Sequence, residues 1–363
     1  GYKGPVYSTL PTRDLMTLMQ FDFIDVLTKE GRDSPYSERD VKEMLKYCIP
    51  RDYRKVTDIA PDIRLTLHNA AHILGSASIH LHLGEGDHNL VYSGDIKYGF
   101  VRLFDNIDLN YPRLETLIIE STYGDREHGP FEKTQADLAR IIRATVARGG
   151  RVVIPAFAVE RTQEVIYSLH TQIEAGAMPE VQMFVDSPLA INATTIFRMH
   201  LECLKPAVQE HILSRHNPFG FERLRMTRSV EESKAINAFA GSCVIVSANG
   251  MCEAGRVLHH LKNTIEDDRN TILFVGFQAQ NTLGRRLQDG AKKVKIFGDE
   301  FFVRAQIETA SGFSAHADRS DLLDWVAAVK ENLKGVFIVH GEEKSSLAFA
   351  EALRAMGGFA VTV

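Results

Sequence analysis

The 363 residues are 44% hydrophobic and 25% charged, an ordinary soluble globular composition for about two domains. A formal net charge of -5 excludes attraction of a polyanion by an overall basic field, so a nucleic acid would have to be met by a local basic groove or by metal ions. Four cysteines (Cys48, Cys203, Cys243, Cys252) without CxxC spacing argue against a disulfide framework and for a cytoplasmic protein, and the absence of any apolar run of about 18 residues argues against a membrane span.

The start, Gly1-Tyr2-Lys3-Gly4-Pro5-Val6-Tyr7, reads as a loop entering a strand and is neither a signal peptide nor a natural-looking terminus. Helices are expected over 12–27, with Thr12 as cap, and over 38–48, where Val41, Met44 and Leu45 share a face. Strands are expected over 63–67, 78–83 and 89–93. The first of these leads into a turn carrying His72, and the last ends in Ser93-Gly94-Asp95. Two strand ends thus each deliver one possible metal ligand, and a carboxylate can bridge two ions. A satisfied loop histidine and ordinary Gly-Asp turn chemistry explain the same residues. Between them, His80, His82 and Asp87-His88 loosely imitate a zinc box, yet Gly84-Glu85-Gly86 reads as a hairpin turn. Period-two alternation places His80 and His82 on a solvated face opposite Ile79, Leu81 and Leu83.

Leu114 to Glu120 reads as a buried strand ending in an acid, where α/β proteins place chemistry and where a cap or turn acid would look alike. The rhythm then becomes α/β. Helices over 134–148, 161–169 and around 256–261 alternate with strands over 152–155, 181–185, 243–247, 271–277 and 293–297, which implies a parallel sheet covered on both faces. Turns at Ser247 to Met251, containing Gly250, and at Gly276 to Gln278 precede helices bearing Arg256 and Arg285-Arg286; their amides and arginines could hold the phosphates of a polymer, or be plain tight turns. Ser314 and His316 follow in Ser311-Gly-Phe-Ser-Ala-His-Ala-Asp318, and a helix through Leu322, Leu323 and Trp325 leads to a strand at 336–339 that ends in His340-Gly341-Glu342.

The blocks AAHILGS, VYSGD, IIESTYGDR, VIPAFAVERTQE, DSPLA, SANGMCEAGRVLHHL, GFSAHAD and VHGEE, in that order along the whole chain, resemble the β-CASP branch of the metallo-β-lactamase fold. The resemblance implies an α/β architecture: an αββα sandwich built from residues 1–124 and 313–363, interrupted by a Rossmann-like β-CASP domain over 125–312, with the active site in the cleft between them. It implies that His72 ligates one zinc, His340 a second, and Asp95 both. Glu120 and His316 match two accessory motifs, His316 as proton donor and Glu120 as the group that orients it; Ser247, Gly250, Arg256 and Ser314 fall in blocks expected to meet substrate. The implied reaction is hydrolysis of single-stranded RNA by a two-metal hydroxide mechanism, leaving a 5′-phosphate and a 3′-hydroxyl. A DNA nuclease and a non-catalytic RNA-binding scaffold are the alternatives, with His340, where DNA-processing members tend to carry valine, favouring RNA. A homodimer is one option for self-association.

The sequence departs from the family pattern in one respect. An HxHxDH box supplying four ligands stands upstream of a segment like GYKGPVYSTLPTRDL in the family, and this chain begins after it. The expectation is therefore a fragment, cut at both ends, whose remaining half-site holds two ligands per zinc and binds metal weakly.

Overall fold

In the computed structural model, which describes residues 2–363, the alternation between Ile63 and Tyr92 becomes a meander. Ile63–Asn69 pairs antiparallel with Ala77–Leu83, which pairs antiparallel with His88–Tyr92. The turn between the last two is the expected hairpin, with Gly84 and Gly86 at φ 65° and 101°. Thr57–Ala60 extends this sheet antiparallel on one side, and Thr116–Ile119, Gly335–Ile338 and Ala360–Thr362 extend it parallel on the other, giving seven strands. Five of them (Ile63–Asn69, His88–Tyr92, Thr116–Ile119, Gly335–Ile338 and Ala360–Thr362) run in the same direction, so their carboxyl ends share one edge.

The sheet belongs to a unit made of Gly1–His128, Glu202–Lys205 and Ala315–Val363; the second unit comprises Gly129–Leu201 and Pro206–Ser314. In the first, the helix Leu10–Lys29 starts two residues before the expected position. Thr9, not Thr12, is its cap, its hydroxyl accepting from the Thr12 amide at 3.2 Å, and Pro11 occupies the first turn, where no amide is needed.

The strand Ala77–Leu83 corrects the expectation of a solvated histidine face. His80 is fully buried, whereas Ile79 on the opposite face is 36% exposed. Alternation defines two faces but not which is covered, and here aromatic rings cover the polar one: His80 lies 5.6 Å from Tyr111, which meets the buried Trp325 of the helix Arg319–Val329 at 5.9 Å. Burial, then the nearby His82, pushes His80 down to about 4, so its ring is neutral there.

The second unit holds six parallel strands in the order Leu224–Met226, Gln182–Asp186, Cys243–Ser247, Val152–Pro155, Thr271–Phe274 and Gln306–Thr309. Every residue of Val152–Pro155, Cys243–Ser247 and Thr271–Phe274 is buried, as continuous apolar strands in a sheet covered on both faces must be. The expected strand at 293–297 is the exception. Lys293–Ile296 folds back antiparallel on Asp299–Phe302 through Phe297 and Gly298, both at positive φ, and exposes its lysines; Gln306–Thr309 takes the sheet edge instead. A strand with charge at every second position suits a half-exposed ribbon, not a buried parallel strand. Among the described residues no helix is long and apolar enough to cross a membrane.

Two sequence blocks of this unit meet at Asp186, which is wholly buried at the end of its strand. Its carboxylate accepts from Thr227 and Ser233 hydroxyls, both at 2.6 Å, and from Arg256 Nη1 and His260 Nε2, both at 2.7 Å. Burial alone would raise the acid, but the donors, His260 first, hold it well below the usual carboxylate range. A depressed folded value makes this contribution complete above the unfolded value of about 4 and progressively lost as pH falls towards the folded one. Asp186→Asn should therefore lower the unfolding free energy at neutral pH by about 3–5 kcal/mol in chemical denaturation, because it leaves His260 and Arg256 without their charge partner. An unchanged midpoint would contradict this role.

Candidate active site

At the shared carboxyl edge, four of the five co-directional strands lead into four of the five side chains singled out in the sequence. After Ile63–Asn69, the Asn69 side chain accepts from the Ala71 amide at 3.0 Å, and Ser76 Oγ accepts from the amides of His72 and Ile73 at 3.1 and 3.2 Å. This turn fixes His72. Its Nδ1 lies 2.9 Å from the Ala315 carbonyl oxygen and must donate a proton there, which leaves the Nε2 lone pair facing Asp95 Oδ2 at 3.6 Å. Burial, then His316, depresses its protonation, so the ring is in the neutral form that ligates metal.

Asp95 follows His88–Tyr92, and His340 follows Gly335–Ile338. His340 adopts φ 51°, a strained conformation for a residue with a Cβ, of the kind that concentrates at functional sites. The neighbouring Gly341 is required by close approach, since a Cβ there would come within 2.7 Å of the Ser121 backbone oxygen. His340 Nδ1 lies 3.1 Å from Asp95 Oδ1 and 3.4 Å from Thr122 Oγ1. The two oxygens of Asp95 thus face different imidazoles.

Glu120 ends Thr116–Ile119 and is buried. Its oxygens accept from the amides of Ile96 (2.7 Å) and Thr122 (3.4 Å), and both stand 2.9–3.0 Å from His316 Nδ1. Burial would raise this carboxyl, but the His316 charge and these hydrogen bonds outweigh it and hold it below its ordinary value. His316 arrives on the return segment, where the Ala317 amide donates to the Ile96 carbonyl at 2.7 Å, and Lys97 Nζ and His128 Nε2 both stand 3.2 Å from the His316 carbonyl. Its ring lies 4.6 Å from that of His72 and 5.9 Å from that of His340.

Ligand atoms of Asp95, Glu120, His316 and His340 all fall within 4.8 Å of one another. Side-chain exposure rises from 1% at Glu120 through 18% at His316 to 55% at His340, so the cluster opens to solvent on the His340 side. Glu120 is satisfied by His316 and two amides. The donors that could hold metal are therefore His72 with Asp95 and Asp95 with His340. Their separations of 3.6 and 3.1 Å bracket the roughly 3.3 Å expected between two ligand atoms bound to one tetrahedral zinc at about 2.0–2.1 Å, so each pair is spaced as two ligands of one divalent ion would be.

The four residues expected to meet substrate lie in the other unit. Ser247 Oγ donates to the Asp186 carbonyl at 2.8 Å, the Gly250 carbonyl accepts from Gln278 Nε2 at 2.9 Å, and Arg256 is bound to Asp186 and to the carbonyls of Thr227 and Arg228. Ser314 is buried, its amide donating to Ser311 at 3.0 Å. Sequence reasoning missed Thr122, Lys97 and His128, which support His340 and His316. Their only signal is proximity in the chain to Glu120 and Asp95, because the contacts they make reach across about 190 to 220 residues.

Comparison with known proteins places the chain in a family. Residues 162–287 match the family model of the Beta-Casp domain, and residues 302–363 that of the Zn-dependent metallo-hydrolase RNA specificity domain. Transcription termination factor FttA of Methanosarcina mazei is 42% identical over 361 residues, 97% of this chain and 56% of the relative. The protein of the same name from Methanocaldococcus jannaschii is 41% identical over 362 residues, 98% of this chain and 57% of the relative, and that of Pyrococcus abyssi 40% over 360 residues, 97% and 55%. The chain thus spans little more than half the length of these curated relatives. It belongs to the β-CASP family of metallo-β-lactamase-fold proteins.

Proposed function

We propose that the chain carries part of the active site of a zinc-dependent ribonuclease that hydrolyses single-stranded RNA. The observation that carries this is the buried Glu120 carboxylate clamped on His316 Nδ1 beside Asp95, whose two oxygens each face an imidazole. His72, Asp95 and His340 would hold two divalent ions, which when bound activate water at neutral pH and neutralise charge on the phosphate. The residues of the chain do the rest. Glu120 keeps a proton on Nδ1 of His316 and stabilises positive charge on its ring. Nε2, the nitrogen that Glu120 does not bind, releases a proton to the departing ribose 3′ oxygen, leaving a 3′-hydroxyl and a 5′-phosphate. The relatives' name, transcription termination factor, supports nascent transcripts as the substrate and the cytoplasm as the compartment; four free cysteines suit that compartment.

Matched RNA and DNA oligonucleotides test the substrate: the zinc-loaded protein should cleave RNA, and cleavage of DNA alone would overturn the assignment. Asp95→Asn should lose bound zinc by elemental analysis along with activity, whereas retention of all the zinc would remove Asp95 from the ligand set. Glu120→Gln removes the charge that favours the protonated imidazole. The alkaline limb of the rate profile, where the acid is lost as pH rises, should then move down by about one pH unit. A profile that stays in place would show that Glu120 does not control the proton.

A further inference from the structure

A second cluster of imidazoles and a carboxylate lies in the unit of Gly129–Leu201 and Pro206–Ser314. His170 and Glu174 stand four residues apart on the helix Arg161–Glu174 and so share a face. His211 comes from the helix Pro206–Leu213 and His216 from the loop after it. Glu174 Oε2 lies 3.1 Å from His211 Nε2 and 3.5 Å from His170 Nδ1, while its Oε1 lies 2.9 Å from His216 Nδ1.

His170 supplies the independent observation. It is 5% exposed, and its buried Nδ1, turned towards Glu174, has no hydrogen-bond partner. A buried ring nitrogen left unpaired is costly. The 3.5 Å to the carboxylate is too long to satisfy it, yet close to the separation of about 3.3 Å between two ligand atoms on one zinc. The other nitrogen of His211 has a partner as well: Nδ1 lies 3.3 Å from the Tyr167 hydroxyl, which can accept a proton from it when Nε2 ligates.

We propose that His170, Glu174 and His211, with His216 as fourth donor, form a site for one divalent transition-metal ion of the zinc class, joining the helices Arg161–Glu174 and Pro206–Leu213. Three imidazoles and a carboxylate suit zinc over magnesium or calcium. Four protein donors leave no open position, so the site is structural. His216, whose side chain is 74% exposed, is the donor on the solvent side of the site.

The test compares wild type with His211→Ala and with Glu174→Gln, which preserves side-chain shape. Each is stripped with EDTA, dialysed against Zn2+, desalted and analysed for zinc per chain, with circular dichroism as the fold control. Wild type should retain one zinc more than either variant, and zinc should raise the thermal midpoint of wild type more than theirs. Cobalt titration should give a tetrahedral absorption band in wild type that is weaker in both variants by one equivalent. Equal zinc content in wild type and a folded Glu174→Gln would overturn the site and leave a metal-free histidine–carboxylate cluster. Neither substitution touches the unit that carries Asp95, so failure here is distinguishable from failure of the ribonuclease reading.

Discussion

A carboxylate removed from water must be met by charge and hydrogen bonds or it takes up a proton, and Glu120 makes that requirement the centre of its unit. Its partners come from three separate stretches of chain: the Ile96 amide beside Asp95, the Thr122 amide beside the contacts of His340, and the His316 ring on the return segment. Satisfying one acid therefore fixes the loops that carry Asp95, His316 and His340 relative to one another. The same logic recurs at Asp186 in the second unit, with a different result. There Arg256 and His260 saturate a wholly buried carboxylate and hold a strand end together, whereas the Glu120 cluster opens towards solvent through His340.

The strand directions explain why distant residues converge. His72, Asp95, Glu120 and His340 span 269 positions, yet each follows a strand running the same way in one sheet, so each emerges at the same edge. The strain at His340 and the glycine beside it belong to that convergence. The chain turns sharply at the strand end and passes against Ser121, which no side chain at position 341 would permit.

Much of this was legible in the sequence. Apolar alternation located the meander from Ile63 to Tyr92, and uninterrupted apolar runs located the core strands of the parallel sheet. The carboxyl-end positions of His72, Asp95, Glu120 and His340 could be read from turn residues alone. Other features could not. Which face of Ala77–Leu83 is buried depends on Tyr111 and Trp325, whose rings arrive from outside the strand. The destination of Lys293–Ile296 depends on the tight turn at Phe297-Gly298, which overrides the α/β rhythm around it. The partner that Arg256 finds in Asp186, 70 residues away, is invisible in the local pattern. Tertiary partners, not local propensity, decide each of these cases.

The most direct test of the central claim, that the Glu120-held His316 protonates the leaving oxygen, is cleavage of an RNA oligonucleotide whose bridging 3′ oxygen is replaced by sulfur. A thiolate leaves without a proton. His316→Ala should slow cleavage of natural RNA by about 10²–10⁴-fold and leave cleavage of the sulfur substrate nearly unchanged. Equal losses on both substrates would mean that His316 supports the site without donating the proton.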